Sequence, residues 1–347
     1  MMLGIDVGGA NTKAATSDGS FVRLICAPLY RNKAMLPGVL ADVKRGLEAE
    51  GNEIKVVGAV MTGELCGGFN TKRAGVLYIA KAVSDIFETP LFFNNDCAFK
   101  SSSSVAKGPF SFAATNWLAS AQFLSEEYKN AIFVDIGSTT TDVIPIVGGK
   151  IKAKRTDFER LKSGELIYSG VLRTSVAALL TRIAIGGVEY RLSSEYFATT
   201  ADVYIVLGYT GNDIYSHQIT AGYSPSIRVI RGTHEEKGED LRINAMRRLA
   251  RVVCCDLEEI GAEGAVTIAK QVYEKQVEEL VDSLKRVKEK YGLETVVSGG
   301  IGDFIVKKAV EFLRASLIPL SSSYGVDISA VFPAYAVAKL LEASSST

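Results

Sequence analysis

The sequence predicts an α/β fold made of two similarly built halves with a ligand cleft between them. The main observation is an internal repeat, because residues 3–16 read LGIDVGGANTKAAT and residues 132–145 read IFVDIGSTTTDVIP. Strand and helix patterns alternate after each copy, which indicates mostly parallel sheets covered by helices. The chain has 347 residues, 47% of them hydrophobic, which is enough for two cores of ordinary size.

Composition disfavours several classes of function. Lys plus Arg and Asp plus Glu both number 39, so no net charge draws the chain to nucleic acid or to a membrane. No apolar run reaches the roughly 18 residues that a membrane span needs, and we expect a cytoplasmic protein. The only histidines are His217 and His234, so we expect carboxylates to carry proton transfer. The oligomeric state stays open between a monomer and a homodimer.

Each copy of the repeat predicts a strand, a tight glycine turn and a second strand. The two copies align at one constant offset, which places Asp6 opposite Asp135. We therefore divide the chain into residues 1–129 and residues 130–347, with inserted elements around residues 151–240.

The remaining elements follow in order along the chain. In the first half, the periodicity predicts helix 33–50, strand 55–61, helix 71–87, strand 91–93 and helix 110–128. In the second half, it predicts helices 240–260 and 263–291, strand 294–297, helix 303–315 and helix 333–342.

The first glycine turn has the composition of a phosphate-binding loop. It joins two strands, whereas a Walker A loop and a dinucleotide fingerprint both lead into a helix, so neither motif applies. Glycine lets backbone N–H groups approach phosphate oxygens with no Cβ in the way. The residues predicted to bind phosphate in this turn are Gly8, Gly9, Asn11, Thr12 and Lys13.

The second turn faces the same ligand with a glycine and a run of hydroxyl groups. Its predicted phosphate-binding residues are Gly137, Ser138, Thr139 and Thr140. Asp6 and Asp135 occupy matching strand ends, and Mg²⁺ prefers carboxylate oxygens together with substrate phosphates. We therefore expect these two aspartates to hold Mg²⁺ beside a small phosphorylated substrate.

A third glycine-rich turn, VVSGGIGD at residues 296–303, follows a predicted strand and opens a helix. Such turns are common, so this one gains meaning from its position after the two hairpins. Glycine here would let a flat group such as a nucleotide base rest on the backbone. We predict that Gly299, Gly300 and Gly302 contribute to ligand binding.

At these three places the sequence resembles the actin, sugar-kinase and Hsp70 superfamily. The resemblance spans residues 3–13, 133–146 and 296–303, in the order that the superfamily uses. It implies two RNase H-like (actin-like ATPase) domains with a central ligand cleft, Mg²⁺ and commonly ATP.

A closer resemblance is to the hydantoinase/oxoprolinase A-like proteins. It rests on DIGSTTTDVIP at 135–145, TD at 156–157, GELIY at 164–168 and GVLRT at 170–174. Within that group the short single chain resembles the tetrahydromethanopterin-linked one-carbon proteins, whose archaeal members include a methanofuran-biosynthesis synthase. This resemblance implies a transferase that joins 5-(aminomethyl)-3-furanmethanol diphosphate to the phenol of γ-glutamyltyramine and releases diphosphate.

An attacking phenol needs a proton acceptor, and the carboxylates considered for this role are Asp142, Asp96, Asp157 and Glu64. Asp96 lies where sugar kinases of the superfamily place a catalytic aspartate, although a turn or helix-cap role fits it equally well. Arg160 and Arg173 are candidates to bind the carboxylate of a glutamyl group. The opposing interpretation is that both arginines are solvated or paired with neighbouring acids.

Three alternatives to the transferase remain open. The same cleft could serve an ATP-dependent kinase or ATPase, or a hydantoinase-like hydrolase. Full hydantoinases use larger chains or partner subunits, which disfavours lactam hydrolysis. A non-enzymatic, actin-like regulatory module is disfavoured because the polar residues cluster in the loops themselves.

Overall fold

Two β-sheets form the centre of the protein in a computed structural model that describes residues 1–51, 53–210 and 238–345. The first sheet has the strand order β3-β2-β1-β4-β5-β6. Its strands are β1 (Met2–Val7), β2 (Asn11–Thr16), β3 (Val22–Cys26), β4 (Val56–Met61), β5 (Leu91–Phe93) and β6 (Phe99–Ser101).

The second sheet has the order β10-β8-β7-β13-β14, with β9 paired to β8. Its strands are β7 (Asn130–Ile136), β8 (Thr141–Val147), β9 (Lys150–Ile151), β10 (Leu166–Ile167), β13 (Thr295–Gly300) and β14 (Ser316–Pro319). A separate hairpin consists of β11 (Arg182–Ile185) and β12 (Val188–Arg191).

The two sheets repeat one pattern of strand pairing. In the first, β1 pairs antiparallel with β2 and parallel with β4. In the second, β7 pairs antiparallel with β8 and parallel with β13. Every residue of β1 is buried, as expected for a strand covered on both faces. The repeat predicted from the sequence is therefore confirmed as a repeat of topology.

Helices cover both sheets. Those in the first half are α1 (Leu36–Ala49), α2 (Lys72–Ile86), α3 (Ser102–Lys107) and α4 (Asn116–Glu127), with 3₁₀ turns at Lys33–Met35 and Pro109–Phe112. The next are α5 (Asp157–Ser163), α6 (Val176–Leu179), α7 (Thr200–Leu207), α8 (Gly238–Arg251) and α9 (Leu257–Tyr291). The last are α10 (Asp303–Leu313), α11 (Leu320–Tyr324), α12 (Val326–Ala330) and α13 (Phe332–Ser344). Within these described residues, no helix is long and apolar enough to cross a membrane.

The terminal helix α13 lies against the first sheet. Gly4 of β1 makes this close packing possible, because a Cβ there would lie 1.9 Å from the carbonyl oxygen of Ala334. Although α13 ends the chain, it therefore packs against the first half. The domain boundary between residues 129 and 130 stays a prediction.

One hydrophobic cluster joins the two halves beneath the cleft. It combines side chains of the first half with side chains of both strands of the second hairpin and of α13, among them Val60, Trp117, Phe133, Ile144 and Phe332. Because β4 of the first sheet and both strands of the second hairpin share this core, packing fixes the two sheets relative to each other.

Candidate active site

A cleft of about 670 Å³ lies between the two halves and collects most of the predicted site residues. Both glycine turns, the turn after β13, and residues of α4, α5 and α12 line it. The predicted residues in its wall are Asp6, Gly8, Gly9, Asn11, Lys13, Glu64, Asp135, Gly137, Ser138, Thr139, Thr140, Asp142, Asp157, Arg160, Arg173 and Gly300.

Four predicted residues do not line this cleft. Thr12 is buried within β2, and Gly299 is buried within β13, paired with Asp135 of β7. Gly302 packs inside the turn after β13, where a Cβ would lie 2.5 Å from Ile136. Asp96 lines a separate, smaller cavity and is largely exposed. The two histidines, His217 and His234, lie outside the described residues.

The first turn is closed by its own backbone. The N–H of Gly8 donates to the carbonyl oxygen of Asn11 at 2.9 Å, and a Cβ at Gly8 would lie 2.7 Å from that oxygen. Lys13 Nζ lies 3.6 Å from Asp6 Oδ2, while the buried Asp6 Oδ1 has no hydrogen-bond partner among the described residues. This turn therefore presents a cation and an unsatisfied carboxylate oxygen to the cleft.

The second turn closes in the same way, since the N–H of Gly137 donates to the carbonyl oxygen of Thr140 at 2.9 Å. A brace formed by residues 169–173 holds it from behind. The N–H groups of Leu172 and Arg173 both donate to the carbonyl oxygen of Ser138 at 3.0 Å. The GVLRT segment, noted in the sequence only for its resemblance, thus positions the second turn.

The brace is itself held from α9. The buried Gln276 donates to the carbonyl oxygen of Gly170 at 3.2 Å, and the hydroxyl of the buried Tyr204 donates to the Gln276 side chain. Gly170 must be glycine, because a Cβ there would lie 2.5 Å from the backbone nitrogen of Thr139.

Burial changes the acidity of the two matched aspartates. It raises the pKa of Asp135 to about 7, opposed by Lys13 and reinforced by the charges of Asp142 and Asp6. Burial also raises the pKa of Asp6, again opposed by Lys13. The field at this end of the cleft therefore favours a positive charge beside the two carboxyl groups.

Two carboxyl groups alone are too few to fill the coordination shell of Mg²⁺. Across residues 1–51, 53–210 and 238–345, no group of three or more His, Cys, Asp or Glu side chains could hold a metal ion. Mg²⁺ commonly takes one or two protein carboxylates and completes its shell with water and substrate phosphate oxygens. The unsatisfied Oδ1 of Asp6 and the buried carboxyl of Asp135 fit such a donor set.

Arg160 is buried and already committed to protein groups. Its guanidinium binds the carboxylate of Asp142, lies 3.0 Å from Asp157 Oδ1 and stacks 4.1 Å from the centre of the Trp117 ring. Asp142 occupies the position in the second hairpin that Lys13 occupies in the first. These contacts favour a structural role for Arg160 over the predicted role of binding a substrate carboxylate.

Glu64 is another buried acid in the wall of the cleft. Burial raises its pKa to about 7, and its Oε2 has no hydrogen-bond partner in the part of the chain that the structure describes. Helix α2 packs closely against the backbone of Glu64, because a Cβ at Gly75 would lie 2.0 Å from the Glu64 carbonyl oxygen. Glu64 is thus a rigidly placed carboxyl group able to titrate near neutral pH.

Arg173 brings a second cation to the cleft. Its guanidinium lies 3.9 Å from the centre of the Tyr30 ring, which belongs to the first half. No carboxylate among the described residues pairs with it, so its charge is available to an anionic ligand. Sequence reasoning missed both Tyr30 and Trp117, because a lone aromatic residue carries no motif.

The sequence is similar to one protein family and to two archaeal synthases. The hydantoinase/oxoprolinase family profile matches residues 55–344. The chain is 34% identical over 346 residues, 99% of its length and 98% of the relative's, to the (4-{4-[2-(gamma-L-glutamylamino)ethyl]phenoxymethyl}furan-2-yl)methanamine synthase of Methanocaldococcus jannaschii. It is 37% identical over 227 residues to the Methanococcus vannielii protein of the same name, covering 64% of this chain and 96% of that one.

A solved structure identifies the fold. A ROK family glucokinase from Streptomyces griseus, in complex with glucose and AMPPNP, matches with a TM-score of 0.50 and 11% identity over 98% of both chains. The predicted actin-like ATPase fold is confirmed by this likeness, which at such low identity shows nothing more than the fold. The matched profile and the full-length relative show that the chain belongs to the hydantoinase/oxoprolinase family.

Proposed function

We propose that this protein makes the aryl–alkyl ether named in its M. jannaschii relative, by joining a furfuryl diphosphate to the phenol of γ-glutamyltyramine. The full-length identity to that synthase carries the proposal. The geometry supports it, because two opposed glycine turns, Lys13 and Arg173 create a cleft suited to a polyanion beside a titratable acid.

The two turns would bind the diphosphate. Gly9, Ser138, Thr139 and Lys13 line the cleft, and their backbone N–H, hydroxyl and ammonium groups would donate to phosphate oxygens. Asp6 and Asp135 would hold Mg²⁺, which when bound neutralises negative charge on a diphosphate. These interactions would lower the barrier to the extent that they strengthen as negative charge builds up on the departing diphosphate. Interactions that are equally strong with the bound substrate would not lower it.

The reaction exchanges one carbon–oxygen bond for another. The bond between the furfuryl CH₂ and the diphosphate breaks, and its electron pair leaves on the diphosphate oxygen. The furan ring delocalises the positive charge that develops at CH₂. The phenol oxygen then forms the new bond to that carbon and loses its proton.

Glu64 is the residue that we propose accepts this proton. An acid with a pKa of about 7 is partly ionised at neutral pH and takes up a proton readily. The competing carboxylates are less suited, since Arg160 binds both Asp142 and Asp157, and Asp96 lies in another cavity.

Calorimetric titration distinguishes this function from that of a kinase or ATPase. We expect inorganic diphosphate with Mg²⁺ to bind in the micromolar range, and the Lys13→Gln variant to bind it at least tenfold more weakly. Tight binding and hydrolysis of ATP with no binding of diphosphate would refute the synthase and favour a nucleotide-dependent enzyme.

A further inference from the structure

A second cavity of about 330 Å³ adjoins the cleft. Trp117 lines both cavities and separates them. The second cavity draws on both halves of the protein, and its mixed lining includes the polar side chains of Asn95, Asp96, Gln122, Lys150 and Arg155.

Charges of both signs meet in this second cavity. Arg155 Nη1 lies 3.2 Å from Asp96 Oδ1 and donates to the carbonyl oxygen of Asn95 at 2.7 Å. Lys150 adds a second cation at the rim. The lining thus offers one carboxylate and two cations within reach of water, where a ligand can exchange with the existing pair.

This arrangement complements the free end of an amino acid. A γ-glutamyl group is attached through its side chain, so its α-ammonium and α-carboxylate remain together as a zwitterion. In the main cleft, Asp6 and Asp135 line the part assigned to the diphosphate, and Arg160 is already bound to acids. The Arg173 guanidinium, stacked on Tyr30, is assigned with Lys13 to the diphosphate. A glutamyl end is therefore better matched by the second cavity.

We propose that the second cavity binds the α-amino acid end of the acceptor, with Asp96 receiving the ammonium and Arg155 and Lys150 receiving the carboxylate. This inference rests on the proposed function, and it extends the acceptor from the cleft past Trp117. It gives Asp96 a role in recognition instead of catalysis.

Steady-state kinetics with two acceptors test the proposal. The Arg155→Gln and Lys150→Gln variants are compared with wild type using γ-glutamyltyramine and tyramine, which lacks the glutamyl group. We expect the KM for γ-glutamyltyramine to rise about tenfold in Arg155→Gln, with the KM for tyramine and for the furfuryl diphosphate unchanged. Equal changes with both acceptors, or none, would overturn the proposal.

Lys152→Gln is the matched control, because Lys152 is exposed on the same segment and lines neither cavity. We expect its kinetics to equal those of wild type with both acceptors.

A direct binding measurement separates failure of this inference from failure of the proposed function. γ-Glutamylethylamide carries the zwitterion without the phenol, and its binding is followed by NMR titration in the absence of any reaction. We expect wild type to bind it and Arg155→Gln to bind at least tenfold more weakly. Equal binding by both proteins, or none by wild type, would refute the cavity assignment whatever the enzyme's activity.

Discussion

The guanidinium of Arg160 stacks on the indole of Trp117 at 4.1 Å, joining an arginine of the second half to an aromatic ring of the first. Arg173 over Tyr30, at 3.9 Å, repeats this arrangement elsewhere between the halves. Two cation–π contacts thus connect the halves along one cleft, and each is worth about 0.5–2 kcal/mol depending on burial. The Trp117 ring carries no charge, so the buried positive charge of Arg160 is neutralised by Asp142 and Asp157.

The first prediction concerns that buried ion pair. The Arg160→Ala substitution should lower the free energy of unfolding by about 3–5 kcal/mol, because it leaves the buried charge of Asp142 without the guanidinium that pairs with it. Chemical denaturation measures this change. Arg182→Ala, which removes an exposed pair with Glu189, should cost no more than about 1 kcal/mol. Equal effects of the two substitutions would show that the buried network is not what stabilises this region.

The second prediction concerns the matched aspartates. Asp135→Asn should abolish metal-dependent turnover and leave the fold intact, since it removes a metal ligand and a charge whose burial is unfavourable. Activity at increasing Mg²⁺ concentration measures the loss of turnover, and the circular dichroism spectrum shows whether the fold is intact. Asp85→Asn, which alters an exposed acid paired with Lys81, is the control and should change neither. Wild-type activity in Asp135→Asn would remove Asp135 from the metal site.

The third prediction is a pH dependence set by Glu64. Burial raises its folded pKa from 4.5 to about 7, so the folded state holds the proton more tightly than the unfolded chain does. The stability from this proton is fully present below about pH 4.5 and is lost as pH rises through about 7. Glu64→Gln cannot ionise, so its stability relative to wild type should increase by about 3 kcal/mol across that window.

Unfolding of the two proteins at several pH values measures this difference. Glu126→Gln, at an exposed site, should track wild type at every pH. The same substitution at Glu64 should lower kcat by about 10²–10⁴ if Glu64 accepts the phenol proton. If the difference in the free energy of unfolding between Glu64→Gln and wild type does not change with pH, Glu64 does not titrate in this range.

The fourth prediction concerns the brace behind the second turn. Gly170→Ala should raise the Kd for diphosphate at least tenfold, because the new methyl group would meet the Thr139 nitrogen at 2.5 Å and displace the turn. Gly38→Ala is the control, since nothing lies within 4 Å of its added carbon, and it should stabilise α1 by about 0.5–1 kcal/mol. Unchanged diphosphate binding in Gly170→Ala would mean that the turn does not contact the ligand.

Sequence reasoning recovered the features that are written in local patterns. The repeated strand and glycine turn predicted the two hairpins, and apolar periodicity placed α1, α2 and β4 within a few residues. The short edge strands β3, β6 and β14 were missed, because so few residues carry little periodic signal.

The rest depended on contacts between distant parts of the chain. Arg160 has the appearance of a free cation in sequence, and only the fold brings Asp142 and Trp117 against it. Asp96 looked like a cleft acid by resemblance, yet its loop lies beside Lys150 and Arg155 at a second cavity. In both cases the sequence identified a charged residue but not the partner that sets its role.

Product formation tests the central claim most directly. The protein is incubated with Mg²⁺, the furfuryl diphosphate and γ-glutamyltyramine, without ATP, and the products are followed by mass spectrometry and phosphorus NMR. The account predicts one ether and one diphosphate formed per turnover, both strongly reduced in Glu64→Gln. Absence of the ether from wild-type protein, or its formation only when ATP is supplied and consumed, would contradict the account.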